Sequence, residues 1–265
     1  MKADLHIHST VSDGSETIAH VVGDAIQKGL DAIAITDHDT MSHSAQIPAD
    51  AGIKVICGVE ISAVHRKSGT RTHILGYHIQ KPGVITSLTK PLLEARNDTS
   101  EKQADILLRR GYMINMDKLK RADGKYLYKQ HIMDWLVSTG QVPDMFGDFY
   151  KQTFKNGGPC AFDIEYIDML DAVAAVKEAG GAAVLAHPGQ QQNYWLIPDL
   201  VTCGLEGLEL NHHTHTEKDR KIIRDYADIH GLFLTGGSDF HGKYEPQTYE
   251  IGDFLSDGSG VLELL

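Results

Sequence analysis

The fold class is indicated first by residues 32–39, which read Ala32-Ile33-Ala34-Ile35-Thr36-Asp37-His38-Asp39. The first four residues form an unbroken apolar run, which is typical of a parallel β-strand buried on both faces. The polar residues that follow at once include Asp37 and His38, whose side chains are of the types that bind metal ions. The run Ala182–Ala186 repeats this order, because His187 follows it directly. Together the two stretches predict buried parallel strands that end at a polar site.

Further apolar runs, with helical segments between them, extend this pattern along the chain. Residues 16–28 place apolar side chains on one helical face, and Gly29 follows as the expected C-terminal cap. Residues 164–179 show the same periodicity, and Thr216 with Asp219 forms a capping box before another helix. This alternation favours a parallel barrel or a doubly wound sheet. The seven predicted strands are 3–8, 32–37, 54–61, 72–79, 182–187, 207–211 and 232–238.

The stretch from about residue 84 to residue 160 interrupts this alternation. It is rich in charged residues and helix formers, mainly from Leu92 to Arg110 and from Gln130 to Thr139, and it has no clear strand. We therefore expect residues 1–83 and 161–265 to form the α/β domain. Residues 84–160 are expected to form a helical insertion that covers the active site.

Composition and charge narrow the class of protein. The chain of 265 residues has an ordinary globular composition, and its formal net charge of −11 argues against a broad nucleic-acid-binding surface. No apolar run reaches membrane-spanning length, and the first residues do not resemble a signal peptide, so a cytoplasmic protein is expected. The widely spaced cysteines Cys57, Cys160 and Cys203 predict buried free thiols rather than disulfides. We expect neither a membrane nor a stable nucleic-acid partner.

Histidine and carboxylate residues gather where the predicted strands end. His6 and His8 alternate along the first strand, so both side chains point to one face and can reach one cation. Because barrel enzymes carry their active sites at the C-terminal ends of the strands, this distribution indicates one shared metal site. Imidazole and carboxylate ligands without thiolate suit Zn, Mn or Fe. The other residues of these types near strand ends are Asp13, His38, Glu60, His73, His187, His212, His215, Asp239 and His241.

The remaining histidines that we considered are not expected at this site. His78 lies an odd number of residues from His73 on the same predicted strand, so its side chain should face the opposite side. The histidines on predicted helices or loops, which we expect at the surface, are His20, His43, His65 and His230.

Six short motifs, spread over residues 4 to 241, resemble those of the PHP family, which is named after polymerases and histidinol phosphatases. The resemblance implies an α/β fold of a particular kind, a distorted (β/α)7 TIM-like barrel with a helical insertion. The motifs are Asp4-Leu5-His6-Ile7-His8-Ser9, Thr36-Asp37-His38, Gly58-Val59-Glu60, His73-Ile74-Leu75-Gly76-Tyr77, Ala186-His187-Pro188-Gly189 and Ser238-Asp239-Phe240-His241.

The resemblance also implies a centre of two or three divalent metal ions (Mn, Zn or Fe) and a division of the ligands among them. Asp4 and Asp37 would orient neighbouring imidazoles. One ion would be held by His6, His8, Glu60 and Asp239, a second by Asp13, His38 and His241, and a third by His73 and His187 with Glu60 as the bridge.

Within the family the chain is most similar to stand-alone phosphoesterases that release phosphate from nucleotides such as AMP or nucleoside 3′,5′-bisphosphates. That subgroup has an Arg-Pro-His element in its inserted region, whereas the nearest match here is Lys129-Gln130-His131. The cation and the histidine remain, but the bidentate guanidinium is absent. We therefore expect Lys129 and His131 to bind a phosphate, with His212 and His215 also beside the substrate. A different ester, such as a cyclic phosphodiester, stays open.

The expected activity is hydrolysis of a small-molecule phosphate ester, a nucleotide or a sugar phosphate, by a hydroxide that bridges two cations. Asp239 could assist as a base, and His187 or His215 could protonate the leaving oxygen. One alternative is a phosphodiesterase acting on a small cyclic phosphate.

Three further alternatives are less favoured. A carbon–nitrogen hydrolase of the amidohydrolase kind often uses a bridging lysine, but no strand end here offers one. A nuclease module attached to a polymerase does not suit this short acidic chain. A non-catalytic protein with a vestigial site would be indicated by a missing ligand, and all nine expected positions are filled.

Overall fold

The computed structural model describes residues 1–119, 125–244 and 249–265. Its strands are β1 (Ala3–Ile7), β2 (Ala32–Ile35), β3 (Lys54–Cys57), β4 (Val59–His65), β5 (Thr70–Tyr77), β6 (Ile167–Asp168), β7 (Ala182–Leu185), β8 (Gly207–Asn211) and β9 (Phe233–Gly236). Its α-helices are α1 (Ile18–Gln27), α2 (Pro82–Arg109), α3 (Met116–Leu119), α4 (Lys129–Ser138), α5 (Asp148–Phe154), α6 (Met169–Glu178), α7 (Pro188–Gln191), α8 (Ile197–Thr202), α9 (Glu217–His230) and α10 (Gly258–Leu264).

The strands form two sheets, so the mixed α/β fold class is confirmed. The first sheet has the order β1-β2-β3 and is parallel. The second has the order β6-β4-β5-β7-β8-β9, in which β5 runs antiparallel to both of its neighbours. Two isolated parallel bridges connect the sheets, one between Ile7 and Phe240 and the other between His38 and Glu60. The carboxyl end of β1 therefore meets the segment after β9, and the segment after β2 meets β4.

The structure corrects two expectations about the strands. The predicted strand 54–61 is divided at Gly58, where a Cβ atom would lie only 3.0 Å from the carbonyl oxygen of Gly76. The all-parallel arrangement is wrong for β5, because β4 extends to His65 and reaches β5 through the four residues 66–69. A connection that short joins antiparallel strands, whereas parallel strands need a long crossover.

The predicted helix ends agree with the structure at two positions. Gly29 follows α1 with a φ of +67°, as expected for the residue after a helix C-terminus. The capping box before α9 is confirmed, since Asp219 Oδ2 accepts a hydrogen bond of 2.8 Å from Thr216 N. Between β5 and β6 the described residues contain only the helices α2 to α5, which agrees with the absence of a strand pattern there.

The chain divides into two compact units. The first unit comprises Met1–Thr89, Tyr166–Gly242 and Tyr249–Leu265 and contains both sheets. The second unit comprises Lys90–Glu165 together with Lys243 and Tyr244, and has its own apolar core, which includes Leu107, Ile132 and Phe154. The expected domain limits and the covering role of the insertion stay predictions.

Two smaller expectations concern the cysteines and the membrane. All three cysteines are free, as predicted, but only Cys160 is fully buried, while Cys57 and Cys203 are half-buried. Among the helices that the structure describes, none has the length and apolar character needed to cross a membrane.

Candidate metal centre

The nine residues that were expected to bind metal all belong to the first unit, and the strands position most of them. His6 lies within β1 and His8 follows it, while Glu60 and His73 lie on the paired strands β4 and β5. The others come from the segments after strands, or from the loop after β1 in the case of Asp13. We call these nine residues the cluster: His6, His8, Asp13, His38, Glu60, His73, His187, Asp239 and His241.

The cluster forms three overlapping groups in which one nitrogen or oxygen atom per residue lies within 4.8 Å of the others. These groups are close to the expected ligand sets. The difference is that His8 and His38 each belong to two groups, whereas the resemblance implied one ion for each. His187 joins through Glu60, whose Oε1 is 2.9 Å from its Nε2. The groups are His6, His8, Glu60 and Asp239; His8, Asp13, His38 and His241; and His38, Glu60 and His73.

Glu60 is the centre of this arrangement. Its side chain is 1% exposed, and each carboxylate oxygen faces a different set of imidazoles. The distances from Oε1 are 2.7 Å to His73 Nδ1 and 2.9 Å to His187 Nε2. The distances from Oε2 are 3.3 Å to His6 Nε2, 3.2 Å to His8 Nε2 and 3.1 Å to His38 Nδ1. Two oxygens with separate neighbours are suited to bridging two cations.

The electrostatics of the cluster keep its carboxylates ionised. Burial alone would raise the pKa of Glu60, but His38, His73 and His6 outweigh burial and hold the pKa well below its usual value. Burial likewise opposes ionisation of Asp239, and His6 with its neighbours again reverses the effect and lowers the pKa. The site therefore presents negative charge inside a desolvated space.

Several buried polar atoms of the cluster have no hydrogen-bond partner within residues 1–119, 125–244 and 249–265. A buried polar atom without a partner costs free energy, and a bound cation would remove that cost. Nitrogen and carboxylate oxygen donors also match the preferences of Zn, Mn and Fe, so the residues fit a divalent metal centre. The atoms concerned are His6 Nε2, His8 Nε2, Glu60 Oε2 and Asp239 Oδ1.

The backbone is strained at two cluster residues. His187 has a φ of +28° and Asp239 a φ of +52°, a region that residues other than glycine seldom occupy. His187 N donates a hydrogen bond of 2.8 Å to Glu209 Oε2, which stabilises this conformation. Such strain is concentrated at functional sites, where the surrounding structure determines the geometry.

Glu209 is a residue of the site that the sequence analysis did not identify. It lies within β8 and is fully buried, and its Oε1 accepts a hydrogen bond of 2.9 Å from His6 Nδ1. This contact leaves His6 Nε2 directed at Glu60 and Asp239. A carboxylate behind an imidazole fixes the tautomer and orientation of a metal ligand. The signal in the sequence was an acidic residue inside the apolar run Gly207–Asn211.

Asp4 and Asp37 were expected to orient imidazoles of the cluster, but they make other contacts. Asp4 accepts hydrogen bonds from the backbone amides of Ser238 and Gly252 and, at 3.3 Å, of His6. Asp37 accepts hydrogen bonds from the backbone and hydroxyl groups of Ser9 and Ser12, which stabilise the loop leading to Asp13.

Asp37 also pairs with His43, so the prediction that His43 is a surface residue is wrong. His43 is 0% exposed, with its Nδ1 3.2 Å from Asp37 Oδ2 and its Nε2 3.3 Å from Cys57 Sγ. The helical periodicity of a short segment could not reveal this burial, because Asp37 reaches His43 from the segment after β2 and Cys57 reaches it from β3.

The other excluded histidines do not belong to the three groups of the centre. His20 is exposed on α1, as expected, and His230 is half-buried at the end of α9. His65 is the last residue of β4, not part of a loop or helix, and is half-buried. His78 lies beyond the end of β5, where its Nε2 is 3.0 Å from Leu264 O.

His212 and His215 lie close to the cluster with defined tautomers. His212 Nδ1 accepts from Thr214 N, so its Nε2 carries the proton and donates to Asp239 Oδ2 at 3.3 Å. His215 Nε2 accepts from Gly189 N at 3.0 Å, and its Nδ1 donates to Leu210 O at 2.8 Å. Both nitrogens of His215 are thus engaged in a neutral ring, an arrangement that does not suit the expected role of proton donor.

Lys129 and His131 lie in the second unit. Lys129 is the first residue of α4, and its Nζ is 6.0 Å from the centre of the Tyr150 ring. His131 is buried, and its Nδ1 accepts a hydrogen bond of 3.1 Å from Tyr128 N at the start of the helix. Their contact with a substrate phosphate stays a prediction.

Comparison with known proteins identifies the family. The model of the PHP domain matches residues 4–175, well over half of the chain. The chain therefore belongs to the PHP domain family, as the sequence motifs implied. In three dimensions it is similar to a crystal structure described as a metal-dependent phosphoesterase from Bifidobacterium adolescentis. The TM-score is 0.87 at 29% identity, and the match covers 99% of this chain and 95% of that one.

Three relatives are similar over nearly their whole length. The phosphoribosyl 1,2-cyclic phosphate 1,2-diphosphodiesterase of Eggerthella lenta is 41% identical over 92% of this chain and 95% of that protein. The 3′,5′-nucleoside bisphosphate phosphatase of Chromobacterium violaceum is 31% identical over 91% of this chain and 88% of that protein. A 5′-3′ exoribonuclease of Haemophilus influenzae is 32% identical over 91% of this chain and 90% of that protein.

Proposed function

We propose that this chain, a metal-dependent phosphoesterase, hydrolyses a small pentose phosphate that carries two phosphate groups, one of them a cyclic diester. The observation that carries the proposal is the position of Glu60, whose two oxygens lie 2.7–3.3 Å from five imidazole nitrogens. The Eggerthella relative, at 41% identity, favours the cyclic diester, which was the alternative substrate expected from the sequence.

We further propose that the two sheets close into the distorted (β/α)7 barrel. The bridge between His38 and Glu60 connects the first sheet to β4, and the bridge between Ile7 and Phe240 connects it to the segment after β9. These two connections support a closed ring of strands with the cluster at one end. The cluster groups support three divalent ions, with Mn, Zn and Fe as the candidates.

The residues of the chain have separate parts in the reaction. When bound, the cations would supply Lewis acidity toward the phosphoryl oxygens and lower the pKa of water. Asp239 Oδ1, which is buried and ionised, would accept a hydrogen bond from the attacking water. His212 holds Asp239 in place through Oδ2. Hydrolysis adds one water, breaks one bridging phosphorus–oxygen bond and leaves a phosphomonoester on the pentose.

The leaving oxygen needs a proton, and the structure favours His187 over His215 as its source. Both nitrogens of His215 are engaged with Gly189 N and Leu210 O. His187 Nδ1, in contrast, is buried and makes no hydrogen bond among the described residues. We therefore assign the proton donation to His187 and the positioning of the segment at Gly189 to His215.

The test is hydrolysis by Mn²⁺-loaded protein, followed by phosphorus nuclear magnetic resonance. Three substrates are compared: 5-phosphoribosyl 1,2-cyclic phosphate, a nucleoside 3′,5′-bisphosphate and a short oligoribonucleotide. We expect the cyclic diester to react fastest and Glu60→Gln to abolish the reaction. A faster bisphosphate would favour the activity named for the Chromobacterium relative, and a faster oligonucleotide the exoribonuclease activity. Hydrolysis of none of the three would refute the proposal.

A further inference from the structure

Arg71 lies on β5, two residues before the cluster residue His73. Residues two apart on a strand face the same side of the sheet, at a separation of about 7 Å along the strand. The register pairs Ser62 with His73 and Val64 with Arg71. The cluster is on this side, because Ser62 Oγ is 3.5 Å from His38 Nδ1. Arg71 therefore occupies the next row of side chains beyond the metal centre.

At least three contacts hold Arg71 in its position. Its backbone is held by the pairing with β4, and its carbonyl oxygen accepts a hydrogen bond of 3.2 Å from Asn193 Nδ2. Its guanidinium carbon lies 3.5 Å from the centre of the Tyr166 ring, which is a stacking contact. A guanidinium held in this way loses little conformational freedom when it binds an anion.

A lysine or arginine side chain is rare in the strands of the two sheets. Of the nine described strands, only β3 and β5 contain a lysine or arginine. Lys54, at the start of β3, is exposed, and its Nζ donates to Leu265 O at 2.7 Å. Arg71 is thus the cation that the strands place on the cluster face, in a protein of net charge −11.

A second sign of a ligand is found beside Arg71. Asn193 is 0% exposed, and its Oδ1 makes no hydrogen bond among the residues that the structure describes. A buried amide oxygen without a donor costs free energy, which a hydroxyl group of a bound pentose would recover.

We propose that Arg71 binds the second phosphate of the substrate, the one that is not hydrolysed. This inference rests on the proposed function, because it requires a substrate with two anionic groups. The cluster takes the phosphate that reacts, and Arg71, one row away, takes the other through charge-assisted hydrogen bonds.

The test compares ribose 1,2-cyclic phosphate with and without a 5-phosphate. For Arg71→Gln we expect kcat/KM to fall roughly 10- to 100-fold with the 5-phosphorylated compound and to change less than about twofold with the other. Most of the loss should be in KM, and Arg71→Lys should be intermediate, because it keeps the charge without the planar fork. Arg66→Gln, which removes an exposed arginine paired with Asp168, is the matched control.

Calorimetry with metal-stripped protein separates this inference from the proposed function. The same two compounds are titrated into the wild type and the Arg71→Gln and Arg66→Gln variants, so that binding is measured without turnover. The inference is supported if Arg71→Gln, but neither the wild type nor Arg66→Gln, binds the 5-phosphorylated compound more weakly. This result supports it even if no substrate is hydrolysed. Three results would overturn the inference. Arg71→Gln could lose affinity equally for both compounds, it could keep the wild-type affinity for both, or the wild type could show no measurable binding.

Discussion

At the scale of single residues, the buried carboxylates determine how the imidazoles are oriented. Glu60 faces five of them directly, and Glu209 acts from behind His6. Each carboxylate is ionised although it is buried, because the histidines around it offset the cost of desolvation. Removing either carboxylate should therefore weaken metal binding, even in the case of Glu209, which lies behind a ligand and acts only by orienting it.

The first prediction concerns Glu209. Glu209→Gln should weaken binding of Mn²⁺ by roughly 10- to 100-fold, because the amide no longer fixes the charge and tautomer of His6. Binding is measured by metal titration, and circular dichroism checks that the variant is folded. Glu206→Gln, which changes a more exposed carboxylate paired with Lys177, is the control and should bind metal normally. Unchanged affinity in Glu209→Gln would show that Glu209 does not position His6.

The second prediction concerns His43 and pH. Burial lowers the pKa of His43, but the contact of its Nδ1 with the Asp37 carboxylate outweighs burial, and the pKa is raised from 6.5 to about 9. A raised pKa in the folded state means that the stabilisation is complete below about pH 6.5 and is lost as pH rises through about 9. The free energy of unfolding should therefore fall across this window by on the order of 3 kcal/mol from this pair.

Urea unfolding at several pH values measures this contribution. His43→Gln should be less stable at pH 6.5 and should show a flatter dependence on pH up to 9 than the wild type does. His230→Gln, at the end of α9, serves as the control and should follow the wild-type curve. If the curve for His43→Gln is parallel to that of the wild type, the pair with Asp37 does not carry the pH dependence.

At the scale of elements, close contact between strand ends creates the site. Gly237, just after β9, lies against β1, where a Cβ atom would be 2.4 Å from both the backbone nitrogen and the Cβ of His6. His8 N donates a hydrogen bond of 2.9 Å to Phe240 O in the same region. The absence of a side chain at Gly237 thus lets β1 and the segment after β9 bring His6, His8 and Asp239 together.

The third prediction follows from this contact. Gly237→Ala should lower the free energy of unfolding by about 1–3 kcal/mol or more, because backbone must move to accept the methyl group. It should also weaken metal binding, since His6 shifts with β1. The matched control is Gly23→Ala within α1, where a Cβ atom meets nothing within 4 Å. That change should stabilise the protein by about 0.5–1 kcal/mol. Thermal unfolding of both variants measures these changes. An unchanged stability of Gly237→Ala would contradict the close contact between Gly237 and His6.

At the scale of the whole molecule, residues from His6 to His241 depend on one another through the metal centre. A ligand that binds only the folded state stabilises it by about 2.7 kcal/mol at one hundred times its Kd. In a protein of this size, 1 kcal/mol corresponds to a change in Tm of about 2–4 °C. The cluster therefore couples metal occupancy to the stability of the folded chain.

The fourth prediction is that removal of metal by a chelator lowers the Tm by about 5–10 °C and that Mn²⁺ restores it. The shift should be nearly absent in Glu60→Gln, which removes the shared carboxylate. Differential scanning calorimetry at fixed protein concentration gives the values, with Glu206→Gln as a variant that should keep the full shift. An equal shift in Glu60→Gln would mean that the stabilising ion binds elsewhere.

The sequence by itself determined the α/β class, the positions of most strands and the candidate ligands. Periodicity and composition carry this information locally: an apolar run predicts a buried strand, and alternation places His6 and His8 on one face. The sequence motifs also implied the family, which the PHP domain match confirms.

Tertiary structure alone decided the antiparallel direction of β5, the division of the predicted strand at Gly58, the burial of His43 and the contact of Glu209 with His6. Each of these depends on which distant segments pack together. His6 and Glu209 are 203 residues apart, and no local pattern records such a pairing. Strand direction and buried polar partners follow from the global packing of apolar surfaces, which a period of two or 3.6 residues cannot express.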